Sequence, residues 1–495
     1  MASSKKSSSN DLEKNPPLNP TVQVESGEVI CDMDESIDRS YLRKLDLYLL
    51  PYLSIMYFFN SVDRSNLGNA KTDGMDTDLG FTGNEYSLLL LLFYIPNGLC
   101  DLPLNMLTKS FSGRIVLPTL MTAWGSIALL QCAATNFAGM LVLRLIMGAL
   151  EAGFFAGVVF YLTLFYTRGE LGFRISLFFG SALVASAFSG LISYGVFQID
   201  NPRIEGWKWL FIIEGALTVF FGAGAFFWLP ASPETAWFLQ PHEKKAAHVR
   251  MLRDGTSKVG TEFSFRESFQ GWNTPRFGLW CLIAFTYPIA FSTTANFLPQ
   301  IVGRLGYSTV KTNLWTVAPN CVGFVVLVCV CFSSDKLRER TFHIVLSLII
   351  SLIGMIILCA INVLAHKSVA YFACFMMAAG AYIPSCLVHS WHNNNNLNES
   401  SRAAWTGLLV GLGNLGGILS TATFRTEYAP SYIPTLIATS CCNAVCIISV
   451  LIMGIWMKSE NRKRNKEQGV SIKAEDIDTS ILVGGEKDAH WRYFT

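Results

Sequence analysis

Residues 58–70 read FFNSVDRSNLGNA, with an acid and a base side by side at Asp63 and Arg64 and three asparagines around them. They follow an apolar run that begins near residue 45. If a membrane-crossing helix ended at Val62, Asp-Arg would be an ordinary interfacial turn. If the helix continues through SNLGNA to about Ala70, the pair sits inside the hydrocarbon layer, where a charge costs a few kcal/mol or more unless it faces a partner or a water-filled space. The second reading needs other helices around the first, so it demands a bundle.

The rest of the chain supplies one. Of 495 residues, 51% are hydrophobic, 35 are Phe and only 15% are charged, with a mean hydropathy of +0.37. That is too apolar for one soluble core of this length. A crossing takes about 20 mostly apolar residues. Twelve stretches qualify, near 45–70, 85–107, 114–134, 137–165, 173–197, 209–229, 277–300, 314–333, 341–363, 368–391, 402–424 and 433–457. The expected fold class is therefore an all-α integral membrane protein of twelve transmembrane helices in two six-helix halves.

The predicted organisation is a disordered cytosolic tail over 1–44, a first half over 45–229, a linker over 230–276, a second half over 277–457 and a cytosolic tail over 458–495. The opening MASSKKSSSN lacks the apolar core of a signal peptide. Sixteen Lys and Arg fall near expected inner ends against seven in expected outer loops, which places both termini in the cytosol. The linker starts LPASPETAWFLQPHEKKAAHVRML, which reads as a capped amphipathic helix lying on the membrane surface, with Ser232 as N-cap and Pro233 at the first helical position. Two halves joined in this way are the plan of repeat-built alternating-access carriers.

Other signals are weaker. The thirteen Cys fall mostly in apolar spans without framework spacing and read as small buried hydrophobes. A net charge of +2 with no basic domain gives no reason to expect nucleic acid. Gly411, Gly413 and Gly416 satisfy G-x-G-x-x-G, but no strand precedes them, so helix packing explains them better than a dinucleotide does. His389 and His392 lack further acidic or Cys ligands, and neither a metal nor any cofactor beyond protons is expected. The sequon at Asn398 lies in an expected cytosolic loop, away from glycosylation. The expected partners are a small organic anion and membrane lipid, with the chain acting as a monomer.

Ionisable groups within the spans are few: Asp63, Arg64, Asp101, Arg144, Glu151, Glu214 and His389. Arg144 and Glu151 lie seven residues apart in RLIMGALEAG, on one helix face and about 10.5 Å apart along the axis. That is too far for a simple salt bridge and suits two stations on one cavity wall, although the same residues could serve only to anchor helix contacts. Arginine does not release its proton, so Arg64 and Arg144 can offer only fixed charge and a bidentate fork for an oxyanion. A carboxyl group out of water takes up a proton more readily, which gives Asp63 and Glu151 the proton-coupling role. Two acids and two bases balance when the site is empty; an added anion leaves a surplus negative charge that a proton removes. Tyr94, Asn97, Tyr287, Asn296 and Asn414 are further candidate substrate contacts. Asp101, Asp335 and Arg340 are candidate gate residues, from two acid-plus-base turns at equivalent positions in the halves, DLPLNMLTKSFSGR and SSDKLRER.

The twelve-span layout, Arg144 and Gly148 in span 4, and the loop SDKLRER resemble the major facilitator superfamily. Within it, NSVDRSNLGNA, RLIMGALEAGFFAG, WKWLFIIEGALT, LPASPETAWFL, GNLGGI, RTEYAPSYIPT and KSENRKR are similar to the fungal allantoate-permease family of the anion:cation symporters, over residues 41–464. The resemblance implies inward symport of protons with a small organic anion such as nicotinate, pantothenate, allantoate or a sulfonate. It places Asp63, Arg64, Arg144 and Glu151 on the positions that serve proton and anion in related carriers. The turn between spans 2 and 3 departs from the superfamily pattern, offering Asp101, Lys109 and Arg114 at looser spacing. Span 5 lacks the Gly-Pro signature of drug antiporters, which favours symport over organic-anion or drug efflux. A non-transporting nutrient receptor would gain nothing from titrating acids. The expected location is the plasma membrane, with an internal membrane such as the vacuolar one as the alternative.

Overall fold

In the computed structural model, residues 23–25, 28–30 and 35–495 are described, apart from 84, 200–203, 255–262, 304, 306–308, 424–427, 429–431, 478, 480–481 and 483–487. Ten helices among the described residues are long and apolar enough to cross a membrane, and the bent pair Leu171–Ser186 and Phe188–Val196 counts as an eleventh. The remaining span is Leu50–Thr72, entered through a π-helical turn at Leu45–Leu49. Its low apolarity comes from the polar residues of the opening stretch. The helix runs unbroken past Asp63 and Arg64, so that stretch lies within span 1.

Spans 2 and 3 are Glu85–Phe111 and Gly113–Leu130. Span 4 is built in two pieces, Phe137–Glu151 and Phe154–Leu162. Spans 5 and 6 are Leu171–Val196 and Gly206–Trp228. The second half comprises Pro275–Gly303, Thr309–Leu337, Thr341–Ala360, a tenth span in two pieces at Lys367–Ala381 and Ile383–Asn394, Glu399–Thr423 and Ile433–Gln468.

Three expectations need correction outside the bundle. The N-terminal tail is not unstructured throughout: Gln23–Glu25 pairs antiparallel with Glu28–Ile30, and Glu35–Lys44 is a helix. That helix carries Glu35 and Asp38 in its first turn and Arg43 and Lys44 in its last, the arrangement that a helix dipole favours. The linker is not one amphipathic helix. Ser232 and Thr235 do form the cap, but over a single 3-10 turn, Pro233–Thr235, and a separate helix starts at Pro241. Ala236 is already extended, and Pro241 opens the second helix, a position that accommodates proline. Finally, span 12 runs on to Gln468, beyond the expected limit at 457.

The face bearing the linker also bears both tails. There, one hydrophobic core is shared by the halves, running from Tyr41, Leu45 and Phe165 through Trp280, Trp391 and Met453. Toward the opposite face each half keeps its own cluster. In the first half it is built on Leu67, Leu89, Met140 and Trp207, and in the second on Leu298, Val302, Met355 and Met377. Among the described residues, the halves thus share an apolar core at the linker face and keep separate clusters beyond it.

The linker helix Pro241–Asp254 docks on Glu35–Lys44 through Glu243, which is 1% exposed. Glu243 accepts from Ser40 Oγ at 2.7 Å, Lys44 Nζ at 2.8 Å and the Gln240 N–H at 2.7 Å. Burial alone would push its pKa up, but Lys44, the Gln240 amide and Ser40 outweigh that and hold it below the ordinary value. A depressed carboxyl stabilises the fold above the unfolded value, about 4.3 for Glu. Glu243→Gln is expected to cost about 1 kcal/mol at neutral pH. The gap from wild type should narrow below pH of about 4.3 and close once the depressed value is passed; thermal unfolding of both proteins across this range checks it.

Candidate functional site

The break in span 4 positions the site. The first piece ends at Glu151, and Gly153 follows with φ of +73°, in the left-handed region that an L side chain rarely adopts. A Cβ at Gly153 would also lie 2.5 Å from Leu104 Cβ. The Gly153 N–H donates at 2.7 Å to Asp101 Oδ1, so an acid from span 2 caps the start of the second piece.

Glu151 projects from the last turn before the break and is 2% exposed. Its Oε1 pairs with Arg64 Nε and accepts from Asn60 Nδ2 at 2.8 Å. Asn60 and Arg64 lie four residues apart on span 1 and so share one face. The Arg64 side chain is 37% exposed although it lies about 12 Å from the helix end at Thr72. Its guanidinium carbon stands 5.8 Å from the centre of the Phe93 ring, and Tyr94 lies within its electrostatic reach.

Asp63 points elsewhere. Successive residues on a helix are turned by about 100°, and Asp63 faces spans 3 and 6, where Oδ2 accepts from Trp124 Nε1 at 3.2 Å and Thr218 Oγ1 at 2.9 Å. It is buried and turned away from the Arg64–Glu151 pair, so the expectation that two acids and two bases share one site is corrected for this residue. Asp63 remains within electrostatic reach of Glu151 and Arg144.

Arg144 is 3% exposed, and its Nε and Nη2 are buried without a hydrogen-bond partner among the described residues. The structure gives it no salt bridge to Glu151, in agreement with the axial distance. A buried guanidinium with open donors is costly unless something else supplies the acceptors. Asn97, 1% exposed, likewise has both amide atoms unpartnered. In the other half, Asn414 Nδ2 donates at 2.7 Å to Asp101 Oδ2, and Tyr287 Oη is 2.8 Å from His389 Nε2. Asn414 and Tyr287 therefore have protein partners in this conformation. The side chain of Asn296 lies outside the described residues.

Of the candidate gate residues, Asp335 and Arg340 lie at the linker face. Asp335 accepts from the Gly172 and Phe173 N–H groups at 3.3 and 2.6 Å, capping span 5 of the opposite half, and pairs with Arg340 at 2.5 Å. Lys109 pairs with Glu399, and Asn105 Nδ2 donates to the Ala403 carbonyl at 2.6 Å, both between halves. Asp101 works one level deeper, joining the span 4 break to span 11. Asn60, Trp124 and Thr218 went unnoticed in the sequence. Only the i, i+4 spacing of Asn60 to Arg64 could have pointed to one of them. Glu214, seen as an intramembrane charge but given no role, is 1% exposed beside Asn66 and Asp63.

A sequence model of the Major Facilitator Superfamily matches residues 53–421. The chain belongs to that superfamily. It is 55% identical to "Major facilitator-type transporter hxnP" of Emericella nidulans, over 98% of this chain and 99% of that one. It is 49% identical to "MFS-type transporter efuF" of Hormonema carpetanum, over 95% and 94%. Among solved structures, the proton:xylose symporter XylE superposes with a TM-score of 0.67 at 14% identity, covering 84% of this chain and 96% of that one. The transporter FucP in the outward conformation gives 0.57 at 15% identity, covering 82% and 99%. At such identities these two show the fold. This superfamily member is a multi-pass membrane transporter, not an enzyme. Its G-x-G-x-x-G has a packing role: a Cβ on Gly411 would lie 2.4 Å from the Gly98 carbonyl oxygen of span 2.

Gly153→Ala should be severely destabilising, by more than about 1 kcal/mol, because it meets both the positive φ and the contact with Leu104. The yield of folded, monodisperse protein and its thermal midpoint in detergent measure this.

Proposed function

We propose that this transporter is a proton-coupled symporter that imports a small organic anion by rocking its two halves, as a monomer in the plasma membrane with both termini in the cytosol. One observation carries the reading: a buried arginine with open donors, Arg144, stands near a buried carboxylate, Glu151, that is bound to a second, water-accessible arginine, Arg64. Arg144 can receive a carboxylate or similar oxyanion in the bidentate mode that guanidinium favours. An anion arriving there competes with Glu151 for positive charge. A proton taken up by Glu151 frees Arg64, so that both guanidiniums can hold the cargo. Asp63, hydrogen-bonded behind the site, is the second proton carrier. Tyr94 and Asn97 line the same region of span 2 as further cargo contacts.

The joined linker face and divided opposite face correspond to an outward-facing state, since the linker face is the cytosolic one in this reading. The resemblance to the allantoate-permease family of anion:cation symporters supports an anionic cargo, and nicotinate, pantothenate, allantoate and a sulfonate form the first panel. Uptake of these labelled anions into a host lacking its own carriers, with and without an imposed inward proton gradient, tests the function. Accumulation of none of them, or uptake indifferent to the gradient, would defeat it.

Two variants divide the roles. Glu151→Gln should abolish accumulation driven by a proton gradient while sparing anion exchange across equal concentrations; full concentrative uptake by it would remove the proton role. Arg144→Lys should weaken anion affinity on the order of tenfold, since an ammonium cannot replace the fork. Unchanged half-saturation would reassign the anion site.

A further inference from the structure

In the final described stretch, Trp491–Thr495, which falls in the expected cytosolic tail, the first four residues are buried. Trp491 and Arg492 are 0% exposed, Phe494 1% and Tyr493 4%. Its backbone is clasped by two asparagines, each engaging both the donor and the acceptor of one tail residue. Asn395 Oδ1 accepts the Phe494 N–H at 2.8 Å while Asn395 Nδ2 donates to the Phe494 carbonyl at 3.0 Å. Asn461 does the same for Tyr493, at 2.8 Å in both directions. Trp391 Nε1 adds a bond to the Phe494 carbonyl at 2.9 Å, and the Arg340 and Thr341 N–H groups donate to the Thr495 carbonyl at 2.5 and 3.2 Å. All of these partners belong to the second half.

The aromatic side chains reach the first half. Arg168, in the turn between spans 4 and 5, has its guanidinium carbon 4.8 Å from the Phe494 ring centre and 5.5 Å from that of Trp491. Such stacking is attractive and strengthens when desolvated, and Arg168 is 4% exposed. Arg340, the gate residue, also donates to the Arg168 carbonyl at 3.4 Å. The tail therefore lies across the seam that closes the linker face. It is fixed by backbone bonds to one side and by rings to the other, next to the Asp335 contact with span 5.

We infer that residues 491–495 are a built-in latch that holds the linker face closed and must let go of Arg168 before that face opens. A segment that touches only one half would ride with it and leave the conformational equilibrium alone. One bound to both halves in the closed state favours that state by whatever contacts opening breaks. The inference rests on the rocking motion proposed above, but on neither the cargo nor the coupling ion.

Amide hydrogen exchange of the full chain in lipid nanodiscs, without substrate and at one pH, tests it by comparing wild type, a deletion of 491–495 and the double variant Trp491→Ala/Phe494→Ala. The double variant keeps the backbone clasp and removes the rings that meet Arg168. Both variants should show exchange raised at least several-fold in the seam segments 105–111, 168–173 and 399–406, with the span 3 and span 6 segments unchanged. Unaltered protection of the seam in the double variant would overturn the latch, whatever the deletion does. Protection lost evenly over both halves would also overturn it, making the tail a structural strut. Because no cargo or gradient enters the measurement, a wrong assignment of either leaves the result standing.

Discussion

The pair between the half-exposed Arg64 and the buried Glu151 is the constraint on which the rest depends. A carboxylate removed from water is tolerable only with close pairing and further hydrogen bonds. Asn60 supplies such a bond, and the helix break directly after Glu151 gives the carboxylate its place. The break leaves the Gly153 N–H to be capped, and Asp101 caps it with one oxygen while its other oxygen holds Asn414 of the opposite half. A change in the charge of Glu151 thus acts two residues from a peptide group that is tied, through one aspartate, across the centre of the molecule. The candidate site and the contacts between the halves meet in one short chain of contacts.

The halves are held together by the same device used twice. Asp101 caps the second piece of span 4, and Asp335 caps span 5 from the other half; each acid also bonds a residue of the second half, Asn414 or Arg340. Helix N-termini attract negative charge through their unpaired N–H groups and dipole. These contacts are directional and few, so they can break and reform as units. The apolar core shared at the linker face is broader and less specific. Where the halves part, each retains a separate cluster, so separation there exposes no single common core.

Much of this was legible in the residues. Span count and division into halves follow from the length of apolar runs, because a bilayer has one thickness and backbone groups inside it must bond within a helix. Arg144, Glu151 and Arg64 stood out because charge in hydrocarbon is rare and expensive, and Asp335 and Arg340 because they share an acid-plus-base turn between two spans. The linker was read correctly at its cap and wrongly beyond it, since the local signal at Ser232 says how a helix starts and not how far it goes. The tail 491–495 carried no signal at all: four aromatic or charged residues near a terminus look the same whether solvated or docked. Asn60, Trp124 and Thr218 were equally silent, as polar residues common in spans.

By itself the sequence determined that this chain crosses the membrane in two groups of helices and which few ionisable groups must be accommodated there. Those are consequences of composition and spacing along one dimension. Which acid pairs with which arginine was decided only by the tertiary structure: Asp63 and Arg64 are neighbours in the chain, yet the turn between successive helical residues sends one to Trp124 and Thr218 and the other to Glu151. Partners in a bundle come from other helices, and their register depends on packing that no single span encodes.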